Sequence, residues 1–329
     1  MKKRTILMGL LATVALWLPT CACEGQNIIQ QGDVLDDDVY NYGDASYIDE
    51  DDGTVVERTV NLKNFHAIQN NYSAKVCFTQ SQRYEVKVRC TQKGVDMLDF
   101  SVKDGILNIN VKKQYKKKYI NIMKEVTLYI SSPYMSSISN RGSLTLQGKA
   151  LKLDDLSIDN IGALTLDIST LNCKKLNITN RGSLRYVNGD VKATQANVTN
   201  SGAITLDLSV NAKEAFELSN RGSCKFDGKV STKSYTESCQ GASTDHLDIV
   251  ADSLELNILG SGKINSIFKG KTATIHGGGA SNILMDVDCD KLFIESRGSS
   301  KITVKGTADD TYFENHGVTN VDVTGLNKF

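Results

Sequence analysis

From residue 138 onward, apolar side chains alternate with polar ones in short runs, and a similar polar turn interrupts each run. Apolar residues recur four residues before a glycine, and two and four residues after it. A spacing of two is typical of strands that bury one face. No stretch of this region keeps the 3.6-residue period of an amphipathic helix. The pattern therefore predicts a succession of short strands joined by turns.

The turns recur at a nearly constant distance along the chain. Five carry an Asn-x-Gly-Ser/Ala phrase, which begins at Asn140, Asn160, Asn180, Asn200 and Asn220. Looser copies centre on Gly241, Gly262, Gly279, Gly298 and Gly317. One repeat has too few inward residues for a core, so neighbouring repeats must stack. We predict an all-β fold: a single-stranded parallel β-helix (β-solenoid) of roughly 20-residue coils, ten in number, spaced by about 4.8 Å.

The recurring Gly and Asn have structural explanations, because a repeated corner needs positive φ or close backbone approach and stacked Asn side chains form amide ladders. A binding function is the alternative. The candidate binding stripe comprises Arg141, Arg181 and Arg221 with Asn140, Asn180 and Asn220. The Arg residues occupy alternate coils, which separates like charges. The same spacing would give a cationic row for an acidic glycan or a lipid headgroup.

The amino terminus has the features of a bacterial export signal, predicted over residues 1–22. Lys2, Lys3 and Arg4 precede an apolar run, Ile6–Leu18, that is too short for a comfortable membrane span. The sequence Leu18-Pro-Thr-Cys-Ala-Cys is similar to the lipobox of bacterial lipoproteins. Both Cys21 and Cys23 are candidates for lipidation, and ordinary cleavage with incidental cysteines is the alternative. Acylation would make the membrane a partner through a lipid anchor.

Three further regions follow the signal. Residues 23–53 are rich in Asp and lack Lys and Arg, which predicts an acidic disordered tether. Residues 54–139 are a less regular β-rich opening, in which Val76–Phe78 and Tyr84–Val88 are predicted to pair and Asp104-Gly105 to form a turn. We expect this opening to begin the β-helix and cap its end. Residues 140–329 form the repeat β-helix.

The net charge of the chain is zero, but charged residues are unevenly distributed along it. The chain holds 38 basic and 38 acidic residues, so no global attraction to nucleic acid is expected. Signal cleavage removes three cations and leaves the exported chain slightly acidic. One basic loop contains Lys112, Lys113, Lys116, Lys117 and Lys118 with Tyr115 and Tyr119. Its two interpretations are a solvated segment and a contact for an anion of the cell envelope.

Residues suited to catalysis or metal binding are scattered in the sequence. His66, His246, His276 and His316 fall at unrelated positions of the repeat, and phosphate-loop, zinc and nucleophile-elbow motifs are missing. We expect no metal and no cofactor. Cys77 and Cys90 flank the predicted hairpin and are the best disulfide candidates. Acidic residues recur five positions after a glycine, at Asp167, Asp207, Asp227 and Asp322, where solvated turn residues are favoured over a polysaccharide-cleaving cluster.

The lipoprotein-type start, the opening Phe65-His-Ala-Ile and the recurrent Gly-Ser/Ala phrases resemble the bacterial head GIN family, also described as auto-transporter adhesins. The resemblance covers roughly residues 54–325 and brings no catalytic residues. It implies a non-enzymatic lipoprotein of the cell envelope, at the outer membrane, that presents a β-helix wall for adhesion or for envelope or glycan interaction. A polysaccharide-acting β-helix lyase or hydrolase and a purely structural envelope protein are the alternatives. Ligand identity, oligomeric state and periplasmic or surface facing stay open.

Overall fold

The structure is a computed structural model that describes residues 53–116, 125–317 and 320–327. Parallel coils of about 20 residues stack into a β-solenoid of about nine turns. The predicted fold class is therefore confirmed, with about nine turns in place of ten. The predicted signal peptide, Cys21, Cys23 and almost all of the acidic tether lie outside the described residues.

The strands lengthen as the solenoid becomes regular. The opening contains β1 (Val55–Thr59), β2 (Ala67–Asn70), β3 (Ser73–Gln80), β4 (Glu85–Thr91), helix α1 (Gln92–Met97), β5 (Leu98–Lys103), β6 (Ile106–Val111), a 3-10 helix (Lys113–Tyr115) and β7 (Thr127–Ser132). The shorter coil strands are β8 (Ser137–Asn140), β9 (Ser143–Lys152), β10 (Asp155–Asn160), β11 (Ala163–Asn172) and β12 (Lys175–Asn180). The next strands each extend around a whole coil: β13 (Ser183–Asn200), β14 (Ala203–Asn220), β15 (Ser223–Cys239), β16 (Ala242–Ile258), β17 (Ser261–Gly277), β18 (Asn282–Gly298) and β19 (Lys301–Gly317). The last strand is β20 (Asn320–Asn327).

The coils stack with equivalent residues in register, and this stacking builds the core. Ile158 pairs with Ile178, and Leu164 with Leu184, so identical inward positions form continuous apolar rows. All four of these side chains are buried. Burying one such side chain contributes about 1.5–3 kcal/mol, a gain that a single coil could not realise alone.

The coil shortens from 20 to 19 residues partway along the stack, which changes one predicted corner. Ala242 pairs with Ser261, so Gly260, and not Gly262, is the equivalent of Gly241. Gly262 lies two residues beyond the corner at a buried inward position. The prediction that Gly262 centres this repeat is therefore wrong. With Gly260 in place, the corner glycines from Gly222 to Gly298 are evenly spaced.

The first coil lies inside the opening segment. Strand β2 pairs in parallel with β8, and β3 with β9, although about 70 residues separate the paired positions. Below them, β6 pairs with β2 and β7 with β3, also in parallel. The chain between β3 and β8 is thus an excursion that returns to the bottom of the stack.

Antiparallel strands cover the amino-terminal edge of the stack. Strand β5 pairs with β6 across the Asp104-Gly105 turn, whose positive φ angles of 53° and 75° confirm the predicted turn. Strand β4 pairs with β7 and β1, also antiparallel. The predicted pairing of Val76–Phe78 with Tyr84–Val88 is wrong, because β7 lies between β3 and β4.

The carboxy-terminal edge is only partly covered. Strand β20 pairs with β19 along Lys301–Thr307. In the described part of the chain, no strand pairs with the outer edge of residues 308–317. Phe313, which stands above the buried Ile294, is therefore 40% exposed.

Candidate binding surface

A ladder of buried amides fixes one corner of the solenoid. Asn70 donates to Asn140, and the series continues through Asn160, Asn180 and Asn200 to Asn220 with Nδ2–Oδ1 distances of 2.7–2.8 Å. Each Nδ2 from Asn140 onward also donates to the carbonyl of its own corner glycine. All six side chains are at most 1% exposed. The amide ladder therefore holds successive corners in one line.

Close contact between corner backbones explains the glycine column. A Cβ on Gly182 would lie 2.1 Å from the carbonyl oxygen of Gly162. The corner glycines from Gly142 to Gly260 have no positive φ, so close approach, and not an unusual φ, excludes a side chain here. The residue before each glycine is at the outside of the corner, exposed in the case of Arg181.

Cations flank this corner in alternate coils. They occupy the position before the glycine or the position three residues after it, and all are exposed. We call this set the basic ladder: Arg141, Arg181, Arg185, Arg221, Lys225, Lys263, Arg297 and Lys301. The register places neutral residues between its members; Thr165 and Thr205, for example, are the cross-strand neighbours of Arg185. Two strand spacings separate equivalent cations, about 9.6 Å.

More than half of the basic ladder lacks an ion pair. Five of its eight members form no salt bridge with any residue that the structure describes: Arg141, Arg185, Arg221, Lys263 and Lys301. The others contact acids at the edges of the row: Arg181 pairs with Asp159 at 2.6 Å and Lys225 with Asp227 at 2.7 Å, while Arg297 contacts Glu295. The corner thus presents repeated cations that remain available to an external anion.

Another face of the solenoid satisfies its charges internally. Ion pairs join neighbouring coils there: Lys233 with Glu214, Lys269 with Asp288, Lys271 with Asp252 and Lys305 with Asp286, at 2.9–3.1 Å. Acids thus lie beside bases from one coil to the next, and the field of each cation is cancelled locally. These paired lysines differ in this respect from the unpaired members of the basic ladder.

The structure separates the two halves of the predicted stripe. Arg141, Arg181 and Arg221 are exposed, but the side chains of Asn140, Asn180 and Asn220 are buried and bonded within the amide ladder. A ligand on the surface cannot reach those amides. Arg185, Lys225, Lys263, Arg297 and Lys301 were missed, because only the coil register brings them beside the same corner. Lys117, Lys118 and Tyr119 of the predicted basic loop lie outside the described residues.

The recurrent acids do not assemble into a catalytic pair. Asp167 and Asp207 stand exposed one outward position beyond the basic ladder, on intervening coils. Asp227 contacts both Lys225 and His246 Nδ1, the latter at 2.9 Å, and its pKa is lowered, first by the Lys225 hydrogen bond. Ionised, separated carboxylates of this kind lack the raised-pKa acid that glycoside cleavage uses.

One close carboxyl pair does exist, but it lies in the core. Glu237 and Asp245 are both 0% exposed. Tyr235 donates to Glu237 Oε2 at 2.8 Å, and Ser243 donates to Asp245 Oδ2 at 2.5 Å. Burial raises the pKa of both carboxyls, and Glu237 raises that of Asp245 further. Without contact with solvent, this pair has no route to a polysaccharide.

No disulfide joins the described cysteines to one another. Cys77 and Cys90 do not form the predicted disulfide, because strand β7 lies between their strands. Cys77 is half-buried and contacts Gln147, whereas Cys90 is buried. No helix in the described ranges is both long and apolar enough to cross a membrane.

Stacked parallel coils with a repeated charge pattern along one outer corner define a solenoid protein that presents an extended surface. Residues 64–208 match the family model described as "Putative auto-transporter adhesin, head GIN domain". This match, over less than half of the chain, confirms the resemblance found in the sequence. The family supports an adhesion-type role and an exported, cell-envelope location.

Three solved structures are similar to this chain at low identity. A "putative adhesin" from Bacteroides fragilis is 19% identical, with 83% of this chain and 98% of that chain covered and a TM-score of 0.45. A "putative adhesin" from Parabacteroides merdae is 13% identical, with 83% and 97% covered and a TM-score of 0.38. A "putative lipid binding protein" from Parabacteroides distasonis is 13% identical, with 83% and 98% covered and a TM-score of 0.37. No curated protein matches the chain.

Proposed function

We propose that this protein is a non-enzymatic adhesin of the cell envelope that binds a repeating acidic glycan along its basic ladder. The observation that carries the proposal is the row of cations in alternate coils, more than half of which form no ion pair with the described residues. The family match supports adhesion in general, whereas the acidic glycan is inferred from the charge of the corner.

A polymer fits this surface better than a small ligand. An exposed ion pair contributes only about 0.2–1 kcal/mol, so one contact would not hold a ligand. Cations repeated every ~9.6 Å can engage successive charges of one chain, and each contact raises the effective concentration of the next. The Thr residues between the cations offer hydroxyl groups to sugar oxygens. Affinity should therefore rise steeply with glycan length.

The proposal includes attachment to the membrane through a lipidated cysteine. The lipobox-type sequence supports this attachment at Cys21 or Cys23, and the acidic segment after it would extend by charge repulsion and hold the solenoid away from the bilayer. Mass spectrometry of the mature amino-terminal peptide from C21A and C23A cells identifies the acylated residue. Protease shaving of intact cells then distinguishes surface from periplasmic facing. An unmodified amino terminus in the wild type would contradict the anchor.

The binding test compares polyuronates of increasing length with an uncharged glucan by calorimetry. The variant R141Q/R185Q/R221Q removes three unpaired cations of the basic ladder. The matched control K149Q/K192Q/K229Q removes the same charge from the same three coils, away from the corner. We expect at least tenfold weaker polyuronate binding for the first variant and less than twofold for the control. Equal losses in both variants, or equal binding of the glucan, would contradict the proposal.

The same mixtures discriminate the alternative functions. A lyase or hydrolase would release new chain ends, which a reducing-end assay detects. A purely structural envelope protein would bind neither polymer. Neither alternative is favoured by a specific feature of the described residues.

A further inference from the structure

Two histidines and two glutamates converge near the carboxy-terminal end of the solenoid. His276, Glu295 and Glu314 occupy equivalent positions in three successive coils. His316 lies two residues after Glu314 in the last of these coils. Ligand atoms of Glu295, Glu314 and His316 all lie within 4.8 Å of one another. His276 Nδ1 is 2.8 Å from Glu295 Oε2, so it positions that carboxylate from the preceding coil and stands outside the group of three.

The arrangement has a cost that a bound cation would relieve. Glu295 and Glu314 are direct cross-strand neighbours, and like charges in that position repel. Arg297 contacts Glu295 and is the first cause of its lowered pKa. Among the described residues, Glu314 has a side-chain contact with His316 alone, at 2.5 Å. A divalent cation between the two carboxylates would neutralise both.

The donor types select the class of cation. Imidazole nitrogen suits first-row transition metals, whereas Ca²⁺ and Mg²⁺ prefer oxygen alone. In a tetrahedral zinc site with bonds of 2.0–2.2 Å, the donors lie ~3.4 Å apart. To admit the ion, the 2.5 Å contact between His316 and Glu314 would open to this spacing, and any of the three separations that exceeds it, all of them within 4.8 Å, would close. Two of the four histidines in the chain stand at this one place.

We propose that Glu295, Glu314 and His316 form a binding site for a divalent first-row transition metal such as Zn²⁺, with His276 positioning Glu295. The ion would join the last two full coils and fasten the strand segment 308–317, whose outer edge is otherwise uncovered. The site adjoins the carboxy-terminal end of the basic ladder, because the ladder residue Arg297 contacts Glu295. It lies on other coils than Arg141, Arg185 and Arg221, and its ligands do not depend on the proposed function.

Histidine side-chain NMR on the full chain tests the site, with ZnCl₂ as the probe. His66 and His246 serve as internal references, since both lie on other coils. We expect zinc to shift the resonances of His276 and His316 and to leave the reference signals in place. Binding should weaken below pH ~6, because the metal competes with protons for imidazole nitrogen. Excess Mg²⁺ or Ca²⁺ should not displace the zinc.

Variants and hydrogen exchange complete the test. H316Q and E314Q should each reduce zinc affinity by at least tenfold, whereas H246Q should change it by less than twofold. Zinc should slow amide exchange in residues 308–317, and EDTA should reverse the effect. If His246 shifts as much as His316, or if the double variant H276Q/H316Q binds zinc with unchanged affinity, the site does not exist.

Discussion

Replacement of Asn180 by Ala tests whether the amide ladder stabilises the solenoid. Asn180 Nδ2 donates to Gly182 O at 3.1 Å, Asn200 Oδ1 at 2.7 Å and Ala203 O at 2.8 Å. In the variant, Asn200 Oδ1 loses the hydrogen bond from Asn180 Nδ2 while it remains buried. An unsatisfied buried acceptor costs about 1–3 kcal/mol, and each lost hydrogen bond about 1 kcal/mol more. We therefore expect N180A to lower the free energy of unfolding by about 3 kcal/mol.

The same strand supplies a matched control. Asn177 also lies in β12 but faces outward, where it accepts one hydrogen bond from Asn197 at 3.1 Å. N177A should cost less than about 1 kcal/mol, because water replaces the lost partner. Equilibrium unfolding in guanidinium measures both variants, and equal m-values are required for the comparison. A difference below about 0.5 kcal/mol between N180A and N177A would refute the stabilising role of the ladder.

The variant N180D tests whether the side chain at position 180 acts as a hydrogen-bond donor. An aspartate can accept but not donate, so its second oxygen would face the acceptors Gly182 O, Asn200 Oδ1 and Ala203 O. Burial raises the pKa of such a carboxyl, and its neutral form can again donate. N180D should therefore be less stable than N180A at pH 7 and should recover as the pH falls. Equal stability of the two variants at pH 7 would contradict the donor role.

Three further outcomes are expected. G182A should destabilise the protein by several kcal/mol in thermal unfolding, because its Cβ would meet carbonyl oxygens at 2.1 Å. The control G148A should be nearly neutral in the same assay, because its Cβ would meet only side chains at 3.7 Å or more. The raised pKa values of Glu237 and Asp245 contribute stability that is present below the unfolded-state pKa of about 4 and is lost as the pH rises through the folded-state values. D245N should therefore flatten this loss of stability with rising pH, measured by denaturant titration at a series of pH values. Polyuronate binding should weaken steeply between about 50 and 200 mM salt in the wild type and much less in R141Q/R185Q/R221Q. If the affinities of the two proteins fall equally with salt, a charge-driven contact at the basic ladder is excluded.

The fold could be predicted because the recurring residues are those that the backbone geometry requires. Glycine occurs where the backbones of successive corners approach closely, and apolar residues alternate with polar ones where a row of side chains is buried. The misplaced corner at Gly262 shows the limit of this signal: Gly260 and Gly262 differ by two positions, so both preserve the inward and outward alternation. Only the pairing of Ala242 with Ser261 distinguishes them.

Long-range pairing was beyond the sequence signal. Tyr72 replaces the corner glycine in the first coil, and that coil lies 70 residues before its partner, so no regular spacing reveals it. The predicted disulfide and hairpin failed for a related reason, since β7 enters between two strands that are neighbours in the sequence. The basic ladder and the cluster around Glu314 likewise depend on which residues the register brings side by side.

The alternation of charge gives the surface a longer period than the backbone. One coil repeats the fold, but two coils repeat the pattern of Arg141, Arg181 and Arg221, and this period persists at Lys263 and Lys301 after the coil shortens. Internal duplication of a single coil would set two arginines side by side, whereas duplication of a coil pair would add one more cation at the established spacing. Natural variants that lengthen or shorten this solenoid should therefore do so in steps of two coils, each step changing the number of contacts to a polyanion without altering their geometry.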